Sequence, residues 1–187
     1  MVHAISSILL ILIVASVSRS FAVTDINNHA AVQKDLQHEY REIERGFRAD
    51  DPTPWIERLS PGFELILFSG QHQSRQWAVD YVRNNAKTFH IVKLSMLIQG
   101  LEFGKADVTA IVEQKSERTL TENGKPHRLD VGALQRETWE PTANGWRLKR
   151  VQEWKVLYVH NTVIDDKSRS WYQRRLPVLE SGVRRAV

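Results

Sequence analysis

The chain has 187 residues, 26 Lys and Arg against 22 Asp and Glu, and no cysteine. Without cysteine there are no disulfides, thiolate metal sites or cysteine nucleophiles, so stability has to come from packing. The net charge of +4 is uneven: Arg19 lies next to an N-terminal apolar run, and residues 160–187 carry Lys167, Arg169, Arg174, Arg175, Arg184 and Arg185 against Asp165, Asp166 and Glu180. The stretch between is close to neutral, which excludes a nucleic-acid groove on the domain itself.

Residues 5–17 are apolar, too short a run to span a bilayer comfortably and the right length for a signal-peptide h-region. Ser20 and Ala22 occupy the −3 and −1 positions for cleavage after Ala22, with Ser16 and Ser18 marking an alternative cut. The expectation is export, periplasmic or secreted, with no stable membrane insertion once the signal is cut. Only His3 can add positive charge ahead of the run, so an uncleaved N-terminal anchor is the alternative. No Cys follows, which excludes a lipoprotein. The expected division is a signal at 1–22, one α+β domain at 23–159 and a basic tail at 160–187, read as a solvated terminus that could touch an acidic surface. About 165 residues remain after cleavage, enough for one real core.

From Asn27 to Ala49, Leu36, Tyr40, Ile43 and Phe47 recur at helical spacing and line one face of an amphipathic helix. Asp50, Asp51 and Pro52 stop it. Thr53 followed by Pro54 reads as an N-cap with proline at the first helical position, opening a short helix through Trp55 and Leu59 that Pro61-Gly62 ends. Phe63 to Phe68 reads as a strand. Ser74 is a good N-cap for a third helix to about Lys87, with Trp77 and Tyr81 one turn apart. The period then changes to two, and 88–102, 105–120, 127–140 and 145–159 read as four long strands.

Asn123-Gly124 is the strongest hairpin signal, because both central positions of a type I′ turn need positive φ. It sets Gln114 opposite Ala133, Val112 opposite Gln135, Ala110 opposite Glu137 and Val108 opposite Trp139. At the next turn, Pro141 to Gly145, placing Trp139 opposite Trp146 predicts Glu137 across from Leu148, Gln135 from Arg150, Ala133 from Gln152 and Val131 from Trp154. Paired residues share a face, and both turns collect Val108, Ala110, Val112, Val131, Ala133, Trp139, Trp146, Leu148 and Trp154 on an inner face. Thr138, Arg147, Val151 and Glu153 are then expected outside. The strand before them fits with His90, Val92, Leu94, Met96 and Ile98 inward, which requires an odd-length loop or bulge around Gly104.

This order of elements resembles the nuclear transport factor 2-like superfamily, in particular its SnoaL-like branch, over residues 27–159. The local echo is Glu137-Thr138-Trp139 followed by Asn144-Gly145-Trp146-Arg147-Leu148, a Trp, turn, Gly-Trp hairpin that marks the fold and carries no chemistry. The resemblance implies a cone-shaped curved antiparallel β-sheet packed on three helices around a pocket. A helix-capped open β-meander of another lineage is the competing architecture.

The expected inner face is interrupted by Gln114, Gln135, Glu137, Arg150 and Gln152. A buried carboxylate beside a guanidinium needs partners, and a ligand can supply some of them. The resemblance implies aromatic walls, for which Trp77, Tyr81, Trp139 and Trp154 are candidates, with His90 pointing inward as well. It also implies two chemistries. Glu137 could be a general base tuned by burial and Arg150, with Tyr81 or Tyr40 donating to an oxyanion, as in isomerase and cyclase members. Glu137 and Arg150 could instead position a water, as in hydrolase members, although those use two acids and only Glu137 is found on the inner face; Asp80 is a distant second. Against both stands a plain internal ion pair that sets strand register, with the tryptophans as core.

His72, His127 and His160 lie at turns or ends, and there is no His-Glu-x-x-His, phosphate-binding glycine loop or Gly-x-Ser-x-Gly, so no metal site and no cofactor is expected. The functional expectation is an exported domain that binds a small, largely apolar molecule. The alternatives are a SnoaL-like enzyme and a non-catalytic homodimeric module using Leu134, Val151 and Leu157 on the outer face. Fold alone does not choose among them.

Overall fold

The structure, a computed structural model, describes residues 26–122 and 124–164. The signal segment and its cleavage site, Asn123 at the hairpin tip, and the tail from residue 165 onward lie outside the described residues.

Helix α1 (His29–Arg48) starts at Asn28, whose Oδ1 accepts from the Ala31 amide at 3.1 Å. Its buried stripe is Val32, Leu36, Tyr40 and Ile43, the face that the spacing predicts. Asp50 turns the chain at φ 57°, and α2 (Thr53–Arg58) folds back onto α1. Gly46 allows that return, since a Cβ there would collide with the Asp51 carbonyl and the Pro54 ring. Thr53 is inside α2 rather than its cap. Asp51 serves the exposed amide, accepting from Thr53 N at 2.9 Å.

Strand β1 (Leu59–Ile66) begins earlier than the apolar run suggests, because Pro61-Gly62 is absorbed as an irregularity between Leu59 and Glu64 instead of ending a helix. A short β2 (His72–Ser74), which the sequence did not reveal, pairs with β1 and leads into α3 (Arg75–Thr88). Ser74 caps α3 as expected, its Oγ accepting from the Trp77 amide at 3.3 Å. Four long strands follow: β3 (His90–Phe103), β4 (Val108–Glu122), β5 (Lys125–Thr142) and β6 (Gly145–Val163). They meander into a curved six-stranded sheet of order β2-β1-β6-β5-β4-β3, in which β1 runs parallel to β6 and all other pairs are antiparallel. This is the cone-shaped α+β architecture, with one parallel pair where a wholly antiparallel sheet was expected. Strand β6 also passes the expected domain end at 159. It pairs with β5 as far as Val163, and the Ile164 amide donates to the Pro126 carbonyl at 2.9 Å.

The β4–β5 register is as read from the Asn-Gly turn: Val108↔Trp139, Ala110↔Glu137, Val112↔Gln135 and Gln114↔Ala133. The β5–β6 register is not. Trp139 faces Leu148, two residues further along than expected, which leaves Trp146 and Leu148 inside because a shift of two preserves the face. Register shifts then follow at Thr138/Trp139, Leu134/Gln135 and Gly132/Ala133. The first leaves Lys149 without a ladder partner and reverses the faces of the next four residues, up to the second extra residue at Trp154: Arg150 pairs with Thr138 and Gln152 with Arg136 on the outer face, while Val151 and Glu153 turn inward opposite Glu137 and Gln135. Strand β3 has its parity correction at Gln99, between Ile98 and Gly100, and a second at Val92, rather than around Gly104.

The core packs α1 against this sheet. Leu36, Tyr40 and Ile43 meet Leu94, Met96, Val108, Ala110, Val112, Trp139 and Leu148, all buried. On the outer face the ring of Tyr158 occupies the space where a Cβ on Gly132 would sit.

Candidate functional site

Where the apolar rows of the sheet give way to polar side chains, a cavity of about 170 Å³ opens between α3 and the inner face. Leu94 and Met96 of β3, Val151 of β6, Leu65 of β1, Phe47 of α1, Trp55 of α2, and Ala78, Val82 and Ala86 of α3 form its apolar wall. Its polar groups are Gln114 and Arg118 from β4, Gln135 and Glu137 from β5, Glu153 from β6, Asp50, and Asn85 and Tyr81 from α3.

Glu137 lies deepest, 1% exposed. Its Oε2 accepts from the Tyr40 hydroxyl at 3.0 Å, and that hydroxyl oxygen accepts from Trp139 Nε1 at 2.9 Å. Tyr40 and Trp139 meet edge to face, 5.6 Å between centroids. A chain of donors from Trp139 through Tyr40 thus ends on the carboxyl group. Burial nevertheless dominates: it raises the Glu137 pKa from 4.5 to about 7, against the opposing pull of these hydrogen bonds. Burial, with the nearby Glu137, also pushes the Tyr40 phenol well above its usual range, so Tyr40 stays a donor.

Glu153 is the second acid of the pocket. Desolvation raises its pKa, and its Oε2 accepts from the Phe68 amide at 3.1 Å. Asp50 is held by His90, Nδ1 to Oδ2 at 2.8 Å. The guanidinium of the pocket is Arg118, whose Nε donates to Ser116 Oγ at 3.0 Å and whose pKa burial pulls downward.

Of the residues singled out from sequence, Glu137, Gln114, Gln135 and Tyr81 line this cavity. Tyr81 sits at the rim, 48% exposed, stacked on Trp77 at 4.9 Å, while Trp77 itself supports from outside the lining. Trp139 is fully buried core outside the cavity lining, and its indole N–H donates to the Tyr40 hydroxyl beside Glu137. His90 is engaged with Asp50 just beyond the wall. Three residues are elsewhere, for one reason, the inversion of β6 after Lys149. Arg150 is on the outer face, its Nε donating to Glu64 Oε2 at 3.0 Å; Gln152 is beside Arg136 in the ladder; and Trp154 is 52% exposed, 6.0 Å from the Arg136 guanidinium. The Glu137–Arg150 ion pair therefore does not form. The same inversion takes Val151 out of the outer patch expected with Leu134 and Leu157 and buries it.

Arg118 and Glu153 were missed. Arg118 was legible: continuing the β4 alternation beyond Gln114 puts Ser116 and Arg118 on the inner row. Glu153 was not, because nothing in the sequence marks Lys149 as an extra residue.

No family model matches the chain, and no curated protein matches its sequence. Solved structures do match. A conserved protein from Planctomyces limnophilus superposes with a TM-score of 0.58 at 10% identity, over 71% of this chain and 99% of that one. A nuclear transport factor 2-like protein from Cytophaga hutchinsonii matches at 0.53 and 11% identity, over 67% and 96%. The fold is that of the nuclear transport factor 2-like proteins. The hexachlorocyclohexane dehydrochlorinase LinA-type3 from Novosphingobium barchaimii shares it, at 0.55 and 13% identity over 74% and 94%. At these identities the likeness covers the nuclear transport factor 2-like architecture alone, and the chemistry has to be argued from the pocket.

Proposed function

We propose that this chain is an exported domain that binds a compact, largely apolar molecule against Glu137. The observation that carries this reading is a carboxyl group poised near neutrality, with a pKa of about 7, at the floor of an apolar-walled cavity. A volume of about 170 Å³ is of the order of a cavity that accepts a single benzene ring, about 150 Å³. At pH 7 Glu137 is present in both forms. It can donate a hydrogen bond to a ligand oxygen or accept one from a ligand hydroxyl, while Tyr40 holds its other side.

The same titration favours a second reading, in which Glu137 is a general base. A base with a pKa near the working pH combines a useful deprotonated fraction with real proton affinity. Tyr40 would steady the carboxyl orientation during transfer and Trp139 would steady Tyr40, so both are positioning residues. Tyr81, at the rim, is placed to contact the ligand's outer end. Three carboxyl groups and a guanidinium face this cavity, and with Asp50 held by His90 the water-activating alternative is carried by Glu137, Glu153 and Arg118, with Arg150 playing no part.

Native mass spectrometry of the mature protein and its Glu137→Gln variant, with calorimetric titration of phenol, tests the binding reading. The expected result is a non-covalent adduct or phenol binding in the wild type, at least tenfold weaker in the variant. Neither adduct nor heat in the wild type would sink it. The same spectra read the expected homodimer, for which Trp154 and Leu157 supply exposed apolar surface.

A further inference from the structure

The polar groups of the pocket are unequally matched. Its three carboxylates already have partners: Glu137 with the Tyr40 hydroxyl, Asp50 with His90, and Glu153 with the Phe68 amide. Arg118 is the sole cation lining the cavity among the described residues. It has one hydrogen bond, from Nε to Ser116, and no carboxylate within ion-pair distance among those residues. Tyr81 is the titratable group close enough to act on it electrostatically. Among the described residues neither terminal nitrogen makes a hydrogen bond, and the side chain lines the cavity.

A half-buried guanidinium without a counter-charge is costly to hold, and its planar fork matches a carboxylate through two parallel hydrogen bonds. The position along the strand supports this. The inner row of β4 runs Val108, Ala110, Val112, Gln114, Ser116, Arg118; its first three residues are fully buried core, and Gln114 and Arg118 line the cavity. A molecule in the cavity would meet Leu94, Met96, Val151 and Ala78 with its body and Arg118 with its charged end.

We propose that the ligand is a compact apolar acid, its ring or short chain inside the cavity and its carboxylate on Arg118. This rests on the pocket reading above and narrows it. Without Arg118 a buried ligand carboxylate would face Glu137 and Glu153 with no compensation, so an anion is accepted in one orientation only.

Titration calorimetry of the mature protein at neutral pH with benzoate and with benzamide, its uncharged isostere, tests the assignment. Benzoate should bind at least tenfold more tightly than benzamide. Arg118→Gln should bring benzoate down to the benzamide level, with cooperative thermal unfolding reporting that the variant is folded. Arg118→Lys should recover part of the preference, and Arg150→Gln, on the outer face, should change neither ligand. Equal affinity for the two in the wild type, or a preference that survives Arg118→Gln, overturns the anion assignment and leaves the pocket standing. If neither ligand binds, both fall.

Discussion

The hairpins β4–β5 and β5–β6 share a strand and lie side by side in one sheet, yet one alternates without interruption over fifteen pairs and the other breaks register three times. Their roles in the cone differ. Strand β4 lies between two antiparallel neighbours from Val108 to Thr119, whereas β6 pairs with β1 over a short parallel stretch near Glu64–Ile66 and continues past it. Bulges bend β6, since each extra residue kinks the strand and increases its twist. Each also exchanges the two faces of everything beyond it. Bulges therefore decide the chemistry here: Lys149 as an extra residue is what removes Arg150 from the pocket and places Glu153 in it.

The largest effect that can break this comparison is a pair of tryptophan truncations. Trp139→Ala, on the unbulged side, removes a fully buried ring and the donor to Tyr40, and should cost about 3–5 kcal/mol in denaturant unfolding. Trp154→Ala, at a bulge and half exposed, should cost about 1 kcal/mol or less. Equal losses would mean that β6 does not invert.

Next in size is the pH dependence of stability. Glu137 has a folded pKa of about 7 against an ordinary 4.5, so the folded state holds a proton that the unfolded chain has released between those values. The resulting stabilisation is fully present below about pH 4.5, declines as pH rises through 7 and is absent above. It amounts to about 3 kcal/mol. Unfolding curves across this window should show the decline in the wild type and a flatter profile in Glu137→Gln. Tyr40→Phe removes a donor that lowers this pKa, so the decline should extend to higher pH.

The smallest effect sharpens the assignment of faces. Arg150→Gln breaks an exposed contact with Glu64 and should change stability by no more than about 0.5 kcal/mol. A change of several kcal/mol would return Arg150 to the interior, where the simple alternation had placed it.

Much of this is legible in the sequence alone. The stripe Leu36, Tyr40, Ile43 identified α1, Ser74 identified the start of α3, and Asn123-Gly124 set every pair between β4 and β5. Glu137 was recognisable as an inward carboxylate because that register places it beside Ala110. Its partner was not. Tyr40 is 97 residues away in sequence and meets Glu137 only when α1 docks on the sheet. The apolar outer patch was misread for the same reason as Arg150, since Val151 changes face with it.

By itself the sequence determined local structure: helix faces from a period near 3.6, strands from a period of two, caps and tight turns from residues whose side chains or φ preferences suit them. These are short-range effects, set within a turn or a hairpin. Tertiary structure decided the parallel seating of β1 beside β6, the bulges that bend β6 around the cone, and hence which charges share the cavity. The energy that selects a bulge comes from closing a sheet over a core assembled from distant segments, and no window of the sequence contains that core.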